Sequence, residues 1–169
     1  MSGDQEEFSL EPTPQKRDER RTVKRMPVYH VELVRDRSVK FEIETPIDSV
    51  QTAAKIITQE LAGADREKLI CMWLNARHGF IGMEIVSIGT LTASLASCRE
   101  IFKGAILANA AEILIAHNHP SGNPSPSNED IRLTKRLVEA GRIIGIEVVD
   151  HLIVADGGGH YSFKTEAGL

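Results

Sequence analysis

Residues 112–130 read EILIAHNHPSGNPSPSNED, and the rest of the chain is most easily read outward from them. Residues 113–116 form a short apolar run with the length and composition of a buried strand. Pro120, Pro124 and Pro126 then stiffen a loop rich in Ser, Gly and Asn. Ser127-Asn-Glu-Asp130 has the form of a helix N-terminus, with a serine cap and acids in the first turn. A helix is expected over 129–142, followed by strands at 147–149 and 152–154. Gly157-Gly-Gly159 turns the chain into a last short strand at 161–163.

Upstream, Ser97-Cys-Arg-Glu100 is a capping box opening a helix that runs to about residue 110. Residues 69–74 and 81–88 are apolar runs of strand length, joined by Asn75-Ala-Arg-His-Gly79 as a hairpin turn. Thr45-Pro46-Ile47-Asp48 starts a further helix. Ile47, Val50, Ala54, Ile57 and Leu61 keep helical spacing in it, and Gly63 stands at its stop. Residues 28–34 and 39–43 alternate apolar and polar, which predicts a hairpin or two short strands. Helices alternate with strands, but the hairpins break strict βαβ order. The fold class is therefore mixed α/β: a central mixed sheet flanked by helices on both faces.

A chain of 169 residues suits one domain with a core large enough to fold without a disulfide or structural metal. Apolar runs far shorter than the roughly 20 residues of a membrane span, and a polar N-terminus, predict a cytoplasmic protein with no membrane segment. The two cysteines, Cys71 and Cys98, lack CxxC spacing and read as reduced thiols. Residues 1–27 hold six basic and six acidic side chains and three of the seven prolines, and are expected to form a charged disordered tail before a domain at 28–169. The net charge of −4 then falls wholly on that domain, which offers phosphates no broad basic surface.

The chemistry centres on His117 and His119. Residues two apart on an extended strand point to the same side, so the pair aims two imidazoles at one place. The stiff loop is able to return Asp130 to the strand end. Two imidazoles, one carboxylate and a water make a tetrahedral Zn²⁺ site with an open position. The bland reading takes Asp130 as a helix-cap partner of Ser127 and the histidines as surface residues; the joint pattern favours metal. Glu84, inside the apolar run 81–88, is a candidate general base or an outward-facing edge residue. Asp150-His151 reads as a strand cap, or as a pair orienting a ligand imidazole. His78 and His160 fall in turns and read as surface residues. A zinc deaminase is excluded by the missing Pro-Cys-x-x-Cys.

His117-Asn-His119, seven residues, Ser127, two residues, Asp130, with Glu84 upstream, resembles the JAMM motif of the JAB/MPN metalloprotease superfamily. The wording His-Asn-His-Pro-Ser-Gly-Asn-Pro and the later Val149-Asp-His-Leu-Ile-Val154 resemble its bacterial RadC-like branch, over about 45–169. The middle residue is Asn118, where the ubiquitin-cleaving members carry Ser or Thr. The resemblance implies a JAB/MPN-like (cytidine-deaminase-like) architecture and Zn²⁺ held by His117, His119 and Asp130. It further implies Glu84 as general base and Ser127 as a stabiliser of the oxyanion. The expected activity is a zinc-dependent peptidase or isopeptidase acting on a peptide or protein. The competing expectation is a nucleic-acid accessory module, with the basic half of the tail making the contact.

Overall fold

The structure, a computed structural model, describes residues 27, 30–38, 50–61, 64–89, 97–155 and 159–169. The chain divides into Met1–His30 and Val31–Leu169. In the first unit only Pro27 and His30 are described, both exposed.

In the second unit the elements run α1 (Val50–Leu61), β1 (Lys68–Leu74), β2 (Phe80–Ile88), α2 (Cys98–Leu107), β3 (Glu112–His119), α3 (Asn128–Ile144), β4 (Glu147–Ala155), β5 (His160–Ser162) and α4 (Phe163–Ala167). They build a five-stranded mixed sheet in the order β2-β1-β3-β4-β5. Only β3 and β4 are parallel; the other neighbours pair antiparallel. Both faces are covered, as the apolar runs of the central strands require. Ala53, Ala54, Ile57 and Leu61 of α1 pack against Ile70, Met72, Leu114, Ala116, Leu152 and Val154. On the opposite face Ile101, Phe102 and Ala105 of α2 and Leu133 and Leu137 of α3 cover Leu69, Cys71, Trp73, Ile113 and Ile115. Strand alternation continues the series Ile113, Ile115 into His117 and His119, so both imidazoles emerge on the α2/α3 face.

Where the structure departs from expectation, long-range pairing is the reason. Residues 30–38, the described part of the segment expected to hold strands at 28–34 and 39–43, have no regular structure and are exposed. Residues 28–29 and 39–49, including the expected helix start at 45–48, lie outside the described residues, as do Gly63, Gly157 and Gly158. The strands expected at 147–149 and 152–154 are one strand, β4, with the polar pair in its middle. Asp150 is accommodated there because its carboxylate accepts from Ser162 Oγ at 2.7 Å, from Lys164 N at 3.0 Å and from His151 N at 2.7 Å. A register shift opposite Val149 turns His151 toward the face of His117. Helix α2 stops at Leu107, and Phe163 opens α4 rather than closing a strand. Among the described residues no helix is long and apolar enough to cross a membrane.

Candidate metal centre

His117 is fully buried, Asp130 nearly so, and His119 keeps an edge toward solvent. His117 Nε2 lies 3.0 Å from His119 Nε2 and 3.3 Å from Asp130 Oδ1. His119 Nε2 lies 3.6 Å from Asp130 Oδ2. One ligand atom from each residue falls within 4.8 Å of the others. Tetrahedral zinc with ligand bonds of about 2.0–2.1 Å sets neighbouring donors roughly 3.3 Å apart, so the donor set matches zinc in both chemistry and spacing.

Each donor is held from behind. Gly122, at φ 77°, turns the loop so that its N–H returns to His119 O at 3.1 Å. The same turn brings Asn123 O to 2.8 Å from His119 Nδ1. A carbonyl only accepts, so His119 Nδ1 carries the proton and Nε2 is the atom offered to the site. Asp130 is fixed by the capping box that opens α3: its Oδ2 accepts from Ser127 N at 2.7 Å and from Ser127 Oγ at 2.6 Å. His117 Nδ1 meets His151 Nε2 at 3.0 Å. Burial, against the attraction of Asp130, pulls the His117 pKa down to about 4. Burial, helped by repulsion from His117 and His119, pulls that of His151 well below 6.5. Both imidazoles are therefore neutral at neutral pH, as a metal ligand must be.

The structure brings His117, His119, Asp130 and Ser127 together but leaves Glu84 apart. Glu84 on β2 pairs with Cys71, whose neighbour on β3 is Ile115, so β1 stands between Glu84 and the histidine strand. Its Oε2 is buried without a hydrogen-bond partner beneath Gly104 of α2. There, second to burial itself, it pushes the Cys71 thiol up to about 12. Ser127 spends its hydroxyl proton on Asp130 Oδ2, so its role in this geometry is to hold the acid.

Register brings a different acid, Glu67, level with the histidines. Leu69 pairs with His117, so extending that register two residues sets Glu67 level with His119. Alternation turns it to the face of Leu69 and Cys71, which is the face of the histidines. Asn118 grips the peptide groups on either side of Glu67: its Oδ1 accepts from Lys68 N at 2.8 Å and its Nδ2 donates to Arg66 O at 3.0 Å. On the other flank Glu67 O accepts from Gly89 N at 2.8 Å. A search for acids inside apolar runs passes over Glu67, because it stands one residue before its strand. The signal that would have found it is an acid at the mouth of the strand antiparallel to His-x-His.

The family model described as "RadC-like JAB domain" matches residues 47–169. The chain belongs to the RadC-like JAB domain family. Among curated relatives, a UPF0758 protein of Moorella thermoacetica is 50% identical over 113 residues, covering 67% of this chain and 49% of that protein. UPF0758 protein STH371 of Symbiobacterium thermophilum is 50% identical over 115 residues, covering 68% and 48% respectively. One from Enterococcus faecalis is 45% identical over 120 residues, covering 71% and 51%. The RadC-like chain thus spans about half the length of the curated relatives it matches.

Proposed function

We propose that this chain is a zinc-dependent hydrolase of amide bonds, a peptidase or isopeptidase of the JAMM type, with Glu67 in the part first expected of Glu84. The observation that carries the reading is the convergence of His117 Nε2, His119 Nε2 and Asp130 at zinc-like spacing. Zinc held there would supply Lewis acidity, polarising a scissile carbonyl and acidifying water. Glu67 Oε, at the mouth of β1, would take the proton of the attacking water and return it to the leaving nitrogen. Asn118 fixes the backbone on both sides of Glu67. His119, the most exposed of the three donors, marks the side from which substrate enters. Ser127 orients Asp130 through Oδ2. The oxyanion role implied by family resemblance would require its hydroxyl to exchange that partner for substrate.

The test uses zinc-loaded chain and a proteome-derived peptide library, with mass spectrometry counting new amino termini. Cleavage that disappears on chelation and in Glu67→Gln, while that variant keeps one zinc per chain, supports the reading. Full cleavage by Glu67→Gln overturns the assignment of the base. Zinc binding with no cleavage, together with salt-sensitive binding to duplex DNA, overturns the hydrolase and favours the accessory module.

A further inference from the structure

Away from the metal centre, the described residues enclose a cleft of about 800 Å³ along the outer edge of the sheet. Residues 33–38 form one wall and residues 80–85 of β2 another, and Lys103, Gly104 and Leu107 of α2 add a third. Strand β2 is the last in the sheet, and among the described residues it pairs only with β1. No described backbone hydrogen bond joins 30–38 to it, so its outer N–H and C=O groups stand as an open ladder beside the cleft. Two side-chain atoms of the same cleft are buried without a hydrogen-bond partner: Trp73 Nε1 and Glu84 Oε2. Among the described residues they are the only ones. Glu84 pairs with Cys71 and Trp73 with Gly82, so the two are diagonal neighbours on the face that α2 covers. The Cys71 thiol beside them offers the indole only a weak acceptor. Lys103, on the same cleft, gives its ammonium to Glu100 at 2.9 Å. A donor and an acceptor thus lie side by side, each costing free energy until a guest meets it.

We propose that this cleft docks an extended peptide, which adds a strand to the β2 edge and lowers a Gln or Asn side chain onto Trp73 and Glu84. The open ladder calls for a strand, and the unmet pair calls for an amide. A carboxamide oxygen accepts from Trp73 Nε1 while its NH₂ donates to Glu84 Oε2, so one group satisfies both. A lysine or arginine side chain offers donors alone and leaves the indole N–H bare. An acidic one brings a second carboxylate against Glu84. Side chains of an added strand alternate between faces, and on the α2 face Gly82 puts no side chain of its own against the indole. Glu84 is itself partly exposed, so a turn of its carboxylate carries Oε2 from beneath Gly104 into the cleft. The docking stands apart from the metal reading. Strand β1 separates the cleft from the histidine strand, and binding there needs neither zinc nor cleavage.

The test titrates the full chain with blocked heptapeptides of alternating Thr and Val whose central residue is Gln, Leu or Lys. Binding is followed by the fluorescence of Trp73, the one tryptophan in the sequence. The Gln peptide should bind about 10-fold more tightly than the other two, shift the indole emission and slow hydrogen exchange at the β2 amides. Glu84→Leu should erase that preference while the Leu peptide binds as before. Equal affinities for the three peptides overturn the role given to Trp73 and Glu84, as does a Gln preference that survives in Glu84→Leu. Free N-acetylglutamine amide binding as tightly as the Gln peptide, with no protection of β2, overturns the added strand. No binding of any peptide at millimolar concentration overturns the site. If Glu84→Leu does not fold, the three-peptide comparison on the wild type still decides.

Discussion

Ser127 and Asp130 clasp each other at the start of α3: Ser127 Oγ donates to Asp130 Oδ2 at 2.6 Å and accepts from Asp130 N at 3.2 Å. One pair of residues thus closes the helix end and aims a metal-site carboxylate. Ser127→Ala removes both bonds and leaves only Ser127 N on Oδ2. The expected cost is about 1 kcal/mol of stability in the metal-free chain, read by denaturant unfolding. A separate loss of about 10–100-fold in zinc affinity is expected by chelator competition.

Glu84 and Glu67 make opposite predictions for the same conservative change. Glu84→Gln acts on an acid that β1 separates from the histidines, so zinc content and cleavage rate should match the wild type. Glu67→Gln should keep zinc and lower the rate about 10²–10⁴-fold. Rates and metal analysis on the two variants side by side check this; a dead Glu84→Gln with normal zinc would return the base to β2.

Helix α2 approaches the sheet closely only because residue 104 is glycine. A Cβ there would collide with Glu84 Oε2 and Trp73 Cζ2. The carboxylate end can move, but the indole is walled in, with Trp73 only 8% exposed. Gly104→Ala should therefore destabilise by about 1–3 kcal/mol, seen as a fall in Tm of roughly 3–10 °C.

The metal-free chain should lose stability as pH falls. His117 has its folded pKa depressed to about 4 by burial, against about 6.5 unfolded, and His151 is depressed further still. Between these values the unfolded chain binds more protons than the folded one, so acid favours unfolding. Stability is full above about pH 6.5 and declines toward pH 4, by on the order of 3 kcal/mol for His117 alone. Chemical denaturation across pH 4–8 in the presence of chelator measures the slope. A flat profile would contradict the burial of neutral imidazoles.

The two thiols should separate chemically. Cys71 is buried, with its pKa pushed up to about 12, whereas Cys98 at the start of α2 is partly exposed. Iodoacetamide at pH 8 should label Cys98 in the folded chain and reach Cys71 only after unfolding, as peptide mapping would show.

What was legible in the sequence was what the chain states locally. His117, His119 and Asp130 could be read because a strand, a proline-stiffened loop and a capped helix place them within one segment. The hairpin of β1 and β2 and the helix faces followed from periodicity for the same reason. Glu67 and His151 are not legible in this way, because their places beside the histidines follow from register. One needs β1 beside β3, the other needs β4 beside β3 with a shift at Val149. Neither pairing is written in the residues themselves. Glu84 shows the converse: an acid in an apolar run signals burial, and burial beneath Gly104 is what it has.

The spacing of these parts along the chain orders their arrival during folding. The three donors sit within residues 117–130, so bringing them together closes a short loop at small entropic cost. The groups that refine them come from far away: His151 lies 34 residues beyond His117, and Lys68, gripped by Asn118, lies 50 residues before it. A chain emerging from the ribosome therefore completes the segment that carries the three donors before β4 exists to bring His151 beside His117. A nascent or truncated chain ending before β4 would carry all three donors in its sequence without the strand that walls His117 in.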